Sequence, residues 1–284
     1  MYRFYLISTK VMVSLWRLYV EKTNLSDRNG GWLMEYEIRS DTGRKRAVNE
    51  DEAAVFVHPE YDAVLAIIAD GMGGHKGGDF ASATAVQMIG EQFMCAIDVG
   101  TEQDWSDLLY DAVVDVNLFL YTTAQQDESY KGMGTTLDIA LILNQQCIVF
   151  HVGDSRIYQV TGKAIRQITK DHSFVNVLID SGEITEQEAE VHPQRNWIMK
   201  AVGSEKSIVP DLCKISLPSA SYLLLCTDGL SNKIEKEVML DIILRDASLA
   251  HKADAFVDLA NERGGEDNIT VILLEVPEIE VVPS

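Results

Sequence analysis

The chain has 284 residues, 46% of them hydrophobic, enough for one large core with extensions or at most two small domains. Its formal charge of −20 argues against a nucleic-acid surface, because the residues after Arg46 carry only fifteen Lys and Arg against thirty-nine Asp and Glu. The four cysteines, Cys95, Cys147, Cys213 and Cys226, stand far apart in apolar contexts without Cys-x-x-Cys spacing, which predicts buried thiols in a reducing compartment and argues against zinc.

Residues 1–33 are basic and aromatic and end in the turn-rich "SDRNGGW", so they form an N-terminal basic extension. They are either an amphipathic helix that touches a membrane or partner, or a dispensable leader with Met34 as a candidate start. The apolar stretch "VMVSLWRLYV" is short and broken by Arg17, and no run of about 20 apolar residues occurs anywhere, which predicts a soluble, cytoplasmic protein with no integral membrane segment.

The domain opens with a strand in "LMEYEIRSDTG". After it "AVFV", "DAVLAIIAD", "TTLDIALIL", "QCIVFHV", "SRIYQV", "SYLLLCTD" and "NITVILLEV" are strand-like runs of Val, Ile and Leu bounded by Asp, Gly and Asn. Helical spacing of apolar residues marks "DFASATAVQMIGEQFMCAI", "DWSDLLYDAVVDVNLFLYTTAQQ", "KEVMLDIILRD" and "HKADAFVDLANE". Strands gathered in the middle with helix pairs early and late predict an α+β fold, an antiparallel β-sandwich rather than a parallel βαβ sheet. Residues 172–203 interrupt the pattern with a short helix, a Gly turn, a capping-box-like "TEQE" and a proline, and read as an inserted flap in which His172 and His192 are anchors.

In "AVLAIIADGMGGHKGGDF" an apolar run passes straight into Asp70 and a group of glycines. The glycines loosely match a dinucleotide fingerprint, but an acid at Asp70 would repel a pyrophosphate unless a divalent cation lay between them. The alternative for this segment is a tight turn with a capping Asp. Acids recur at other strand ends: Glu50 and Asp51 close "DTGRKRAVNED", Asp154 lies in "HVGDSR", Asp228 in "LLLCTDGLSN" and Asp267 in "GGEDNITVILL". Each alone is ordinarily a cap or turn residue. Gathered at one rim they would repel one another unless a cation neutralised them, and hard oxygen donors without Cys or a His pair favour Mn2+ or Mg2+.

Eight ordered segments then carry a resemblance: "SDTGRKRAVNED", "ADGMGGHKGG", "GMGTTL", "VGDSRIY", "KDHSFVNVLIDSGEIT", "HPQRNWIMKAVG", "LLLCTDGLSN" and "GGEDNITVILL". The sequence resembles the metal-dependent serine/threonine protein phosphatases of type 2C in their compact bacterial form. The resemblance implies a four-layer α-β-β-α sandwich flanked by helix pairs, a catalytic domain over 34–277 with the flap at about 172–203, and a tail at 278–284. It also implies that Asp70 bridges two metal ions, the Gly71 carbonyl helps hold one, and Asp228 and Asp267 hold the other. Glu50 and Asp51 would act directly or through waters, Asp154 with Asp228 would ligate a weaker third metal, and Arg46 would grip the substrate phosphate. For Asp154 the alternative is a structural role, accepting bonds from the turn backbone and from Arg156.

The implied reaction is attack on phosphoserine or phosphothreonine by a metal-activated water, with no cysteine phosphoenzyme, so Cys226 belongs to the core. Eukaryotic relatives commonly have His where this chain has Met72. The leaving-group proton donor is then either His75 or a water on the metal, with His75 otherwise a loop residue bonded to backbone. The implied partners are phosphorylated proteins and a cognate Ser/Thr kinase, and the implied state is a monomer. A non-catalytic scaffold of the same fold and a small-molecule phosphatase are the competing functions.

Overall fold

A computed structural model describes residues 34–73 and 77–276, and the expectations for residues 1–33, His75 and the tail fall outside them. The strands are β1 (Glu35–Asp41), β2 (Asp51–Val57), β3 (Ala63–Met72), β4 (Gly134–Thr135), β5 (Leu137–Leu143), β6 (Gln146–Val152), β7 (Arg156–Thr161), β8 (Ala164–Gln167), β9 (Asp211–Ser216), β10 (Ser221–Cys226) and β11 (Ile269–Val276). The helices are α1 (Gly77–Met94), α2 (Glu102–Gln126), α3 (Phe174–Asp180), α4 (Glu186–Glu190), α5 (Asp228–Ser231), α6 (Lys236–Ile243) and α7 (Leu249–Glu262).

Two antiparallel sheets face each other, one in the order β1-β11-β10-β7-β8 and the other β2-β3-β5-β6-β9, with β4 paired to the end of β3. The unbroken apolar runs follow from burial on both faces. In β3, Leu65, Ile67 and Ala69 point toward α1 and α2, while Ala66 and Ile68 enter the space between the sheets. In β11, Val271 and Leu273 meet α6 and α7, while Ile272, Leu274 and Val276 face the other sheet. An antiparallel strand with one solvated face would alternate, and these do not because helices cover both outer faces. The result is three apolar layers between four structural ones, each fully buried Leu, Ile or Phe contributing about 1.5–3 kcal/mol.

Local chemistry sets the helix ends and packing. Thr101 caps α2 in a reciprocal box with Asp104, and Ser248 caps α7. A Cβ on Gly90 of α1 would stand 2.1 Å from the Phe56 ring, so the missing side chain lets β2 lie against that helix. The flap contains α3 and α4, and the "TEQE" motif forms the expected capping box between Thr185 and Glu188.

Three sequence expectations need correction. Edge strands β8 and β9 were not anticipated, because β9 alternates exposed and half-buried residues as the outermost strand of its sheet and lacks an apolar run. Of the cysteines only Cys147 and Cys226 are buried; Cys95 is exposed just past the end of α1, and Cys213 is half-buried on edge strand β9. Among the described residues the His192 ring bonds within the flap, its Nδ1 accepting the Gln194 N–H, so it orders the flap rather than tying it to the body.

Candidate metal centre

Strand direction brings the acids to one end of the sandwich. Asp51 starts β2 and pairs in register with Asp70 near the end of β3, and the Gly71 N–H donates to the Glu50 carbonyl at 3.0 Å. A Cβ on Gly71 would fall 2.1 Å from the Gly78 carbonyl oxygen and 2.6 Å from that of Glu50, so only glycine lets β3 pass between the α1 start and the Glu50 loop. Asp70 thus lies inside a paired strand, which removes the reading of this segment as a tight turn with a capping acid. Asp228 opens α5 directly after β10, Asp267 precedes β11, and Asp154 sits in the β6–β7 turn.

Uncharged side chains that the sequence reading did not single out lock these ends together. Thr227 Oγ1 donates to Asp51 Oδ2 at 2.9 Å and accepts the Thr270 N–H at 3.0 Å, joining the two sheets. Asn268 Oδ1 accepts the Glu50 N–H, while its Nδ2 donates to the carbonyls of Thr42 and Val48. Thr136 Oγ1 accepts the Asp70 N–H at 2.9 Å and shares a 2.7 Å bond with Ser155 Oγ, tying β3 to the β6–β7 turn. The only sequence signal for them is that each adjoins a motif acid or its strand partner, which does not reveal whom a side chain will bond.

With backbone and hydroxyl groups holding the loops, the carboxylates remain underused. Asp51 Oδ1, Asp154 Oδ1 and Asp228 Oδ1 are buried without a hydrogen-bond partner among the described residues. Burial, then the carboxylates of Asp228 and Asp267, push Asp51 up to about 7 against the bonds from Thr270 and Thr227. Burial followed by Asp228 and Asp171 pushes Asp154 up to about 8, and burial followed by Asp267 pushes Asp228 up to about 6. Asp70 is raised well above the ordinary range by burial and then by Asp51, Asp228, Asp154 and Asp267. Glu50 is raised by burial although Arg46 opposes the shift.

Arg46 extends over this region, its Nη2 2.8 Å from Asp267 Oδ2 and its side chain 48% exposed. Arg156 instead pairs with Asp171 at 2.6 Å, so the sequence alternative of an Arg156 bond to Asp154 does not form.

This donor set fits a hard divalent cation. The carboxylates of Asp51, Asp228, Asp154 and Asp267 all raise the Asp70 carboxyl, and acids crowded in this way coexist around shared protons or a cation. Among the described residues no three His, Cys, Asp or Glu side chains stand together in ligand geometry. The orphaned buried oxygens supply the acceptors for a cation.

The raised carboxyls fix a pH dependence. A carboxyl that holds its proton more tightly folded than unfolded gives stability that is complete below the ordinary carboxylate range and is lost as pH rises through the folded value. For Asp228, Asp51 and Asp154 that window runs from about pH 4 to about 8. The melting temperature of chelated protein is therefore expected to fall by about 5 °C or more between about pH 5 and about pH 8. A flat or rising profile would show that the acids do not repel one another in the folded state.

A family model described as protein phosphatase 2C matches residues 42–263, spanning the acids from Glu50 to Asp228. The chain belongs to the protein phosphatase 2C family. This phosphatase is 40% identical over 247 residues to the protein phosphatase PhpP of Streptococcus pneumoniae, covering 86% of this chain and 98% of that one. It superposes on the Streptococcus agalactiae serine/threonine phosphatase with a TM-score of 0.82 at 36% identity, covering 86% of this chain and 99% of that structure. It also matches the catalytic domain of the serine/threonine protein phosphatase PstP in complex with two manganese ions, at TM-score 0.75 and 31% identity over 86% and 99% of the two chains. It is an enzyme of the protein-serine/threonine phosphatase class, with the antiparallel sandwich of that fold. No helix among the described residues is long and apolar enough to cross a membrane.

Proposed function

We propose that this phosphatase removes phosphate from phosphoserine and phosphothreonine on proteins with Mn2+ or Mg2+ in the carboxylate site, opposing a Ser/Thr protein kinase in the cytoplasm. The observation that carries this reading is the set of orphaned buried oxygens on Asp51, Asp154 and Asp228 beside a half-exposed arginine. Asp70 would be shared between two cations, with the Gly71 carbonyl helping to hold one and Asp228 and Asp267 holding the other. Asp154 with Asp228 would hold a third more loosely, and Glu50 and Asp51 would act directly or through water. When bound, these cations supply Lewis acidity, lowering the pKa of water and offsetting charge on the phosphoryl group.

The chain's own residues do the rest. Arg46 presents a planar fork to the phosphate oxygens, and its bond to Asp267 holds the fork in place beforehand. Cys226 is no nucleophile, because complete burial pushes its thiol far up. Local positive charge from Arg46 and the cations lets a chain of net charge −20 accept an anionic substrate.

For Arg46→Ala, kcat/KM on a phosphopeptide is expected to fall about 10- to 100-fold, mostly through KM, the loss of a charge-assisted bond worth about 1.5–3 kcal/mol. Unchanged kinetics would remove Arg46 from the phosphate site.

The function is tested by assaying a phosphothreonine peptide beside free nucleotides, with EDTA followed by Mn2+, Mg2+ or Zn2+. Hydrolysis of the peptide that EDTA silences and Mn2+ or Mg2+ restores, with Zn2+ failing, is the expected result. Faster hydrolysis of nucleotides would favour a small-molecule phosphatase, and no hydrolysis under any metal would favour a scaffold.

A further inference from the structure

We propose that His172 is a positioning residue that ties the flap to the turn carrying Asp154, seated on the buried His151–Asp138 pair; this rests on the metal role assigned to Asp154 above. Asp138 and His151 face each other across β5 and β6, with Nδ1 to Oδ1 at 2.6 Å and side chains 0% and 2% exposed. A buried ionisable pair is weak support for stability, since apolar residues of like volume serve as well, so its geometry is what calls for a use. His151 Nε2 bonds the carbonyl of Lys170 at 2.9 Å, two residues before the flap, and its ring lies 4.7 Å from that of His172.

His172 joins three parts of the molecule. Its ring Nδ1 accepts the Gly153 N–H at 3.1 Å, and its own N–H donates to the Gly153 carbonyl at 2.7 Å. Its carbonyl accepts the N–H of Met199, on the returning arm of the flap, at 2.7 Å, and its Nε2 faces Asp211 on β9 at 3.2 Å. Gly153 has φ +114°, and a Cβ there would lie 2.6 Å from Thr136 Cγ2, so only glycine fits where the turn packs against Thr136. Asp154 Oδ1 makes no hydrogen bond that would fix its own position. On one side of Asp154 the turn is held by the two Gly153 bonds to His172, on the other by the Ser155 bond to Thr136, and His172 also holds both arms of the flap. Burial, with His151 and Lys200 nearby, keeps the His172 ring below the usual histidine range, which preserves Nδ1 as an acceptor.

The test compares His172→Leu, which removes the acceptor but keeps apolar bulk, with His172→Asn, which keeps an acceptor near the Nδ1 position. Two readouts are taken, tryptic cleavage of the chelated protein at Arg195 and Lys200 in the flap, and the Mn2+ concentration giving half-maximal turnover of an aryl phosphate. His172→Leu is expected to be cleaved about tenfold faster and to need about tenfold more Mn2+, with KM for the aryl phosphate within about twofold, while His172→Asn stays within about threefold of wild type on both. Wild-type behaviour of His172→Leu, or equal impairment of Leu and Asn, would overturn the proposal. If His172→Leu does not fold, Asp211→Ala carries the test, since Asp211 is 59% exposed on an edge strand. A shift of about threefold in the same directions is then expected, and no shift overturns the proposal. Asp154→Asn, assayed alongside, separates the two ideas: normal turnover at every Mn2+ concentration would refute the metal role of Asp154, whereas the metal-free cleavage contrast judges His172 alone.

Discussion

Asp228→Asn is expected to lower turnover of phosphopeptide and aryl phosphate on the order of 10²- to 10³-fold at saturating Mn2+, without loss of fold. Asp228 stands at the centre of the electrostatic coupling, its carboxylate contributing to the upward shifts of Asp51, Asp70 and Asp154. One of its oxygens has no partner, and the other accepts a 3.1 Å bond from Asn232 Nδ2. An amide of the same shape still accepts from Asn232, so the helix start survives. The substitution also removes one negative charge from the cluster, so the chelated variant is expected to melt at or above the wild-type temperature near pH 8 and to show a shallower fall with pH. Loss of activity together with a lower melting temperature at every pH would point to a folding defect. Activity within about tenfold of wild type would remove Asp228 from the cation site.

Asp154→Asn is expected to lower kcat about 10- to 100-fold while leaving two tighter Mn2+ ions bound in calorimetry. Of the competing structural role, the bonds from Arg156 do not form, because Arg156 gives its guanidinium to Asp171, while a bond from the turn backbone at Asp154 remains. Asp154 is buried, with an unpartnered oxygen and a carboxyl raised to about 8, which is a costly arrangement for a residue whose only task is a turn. Asparagine relieves that cost, so stability in the absence of metal is expected to rise while turnover falls. Wild-type kcat across a Mn2+ titration would reject the metal role.

Much of this was legible in the chain. Each acid of the site stands next to a glycine, a turn residue or the end of a Val/Ile/Leu run, so their places at strand ends could be read before any fold was known. The capping box at Thr185 and the four main helices follow from spacing and side-chain chemistry within one or two turns, and they formed as expected. Strands β8 and β9 escaped because edge strands carry little burial, and hydrophobic periodicity is the signal by which strands are found. The exposure of Cys95 escaped for a similar reason: an apolar neighbourhood in sequence does not say which side of a helix end meets solvent.

By itself, then, the sequence determined the four main helices, the apolar strands and the inventory of hard oxygen donors, because these depend on neighbours within a few residues. Only the tertiary structure decided that Thr227 would bond Asp51, that Asn268 would close the Glu50 loop, that Arg156 would choose Asp171, and that His172 would hold Gly153. The upward shifts of the carboxyls belong to the same class. They arise from burial and from Coulomb repulsion between groups as far apart in sequence as Asp51 and Asp267, and both depend on distances through space that two packed sheets set and no local pattern encodes.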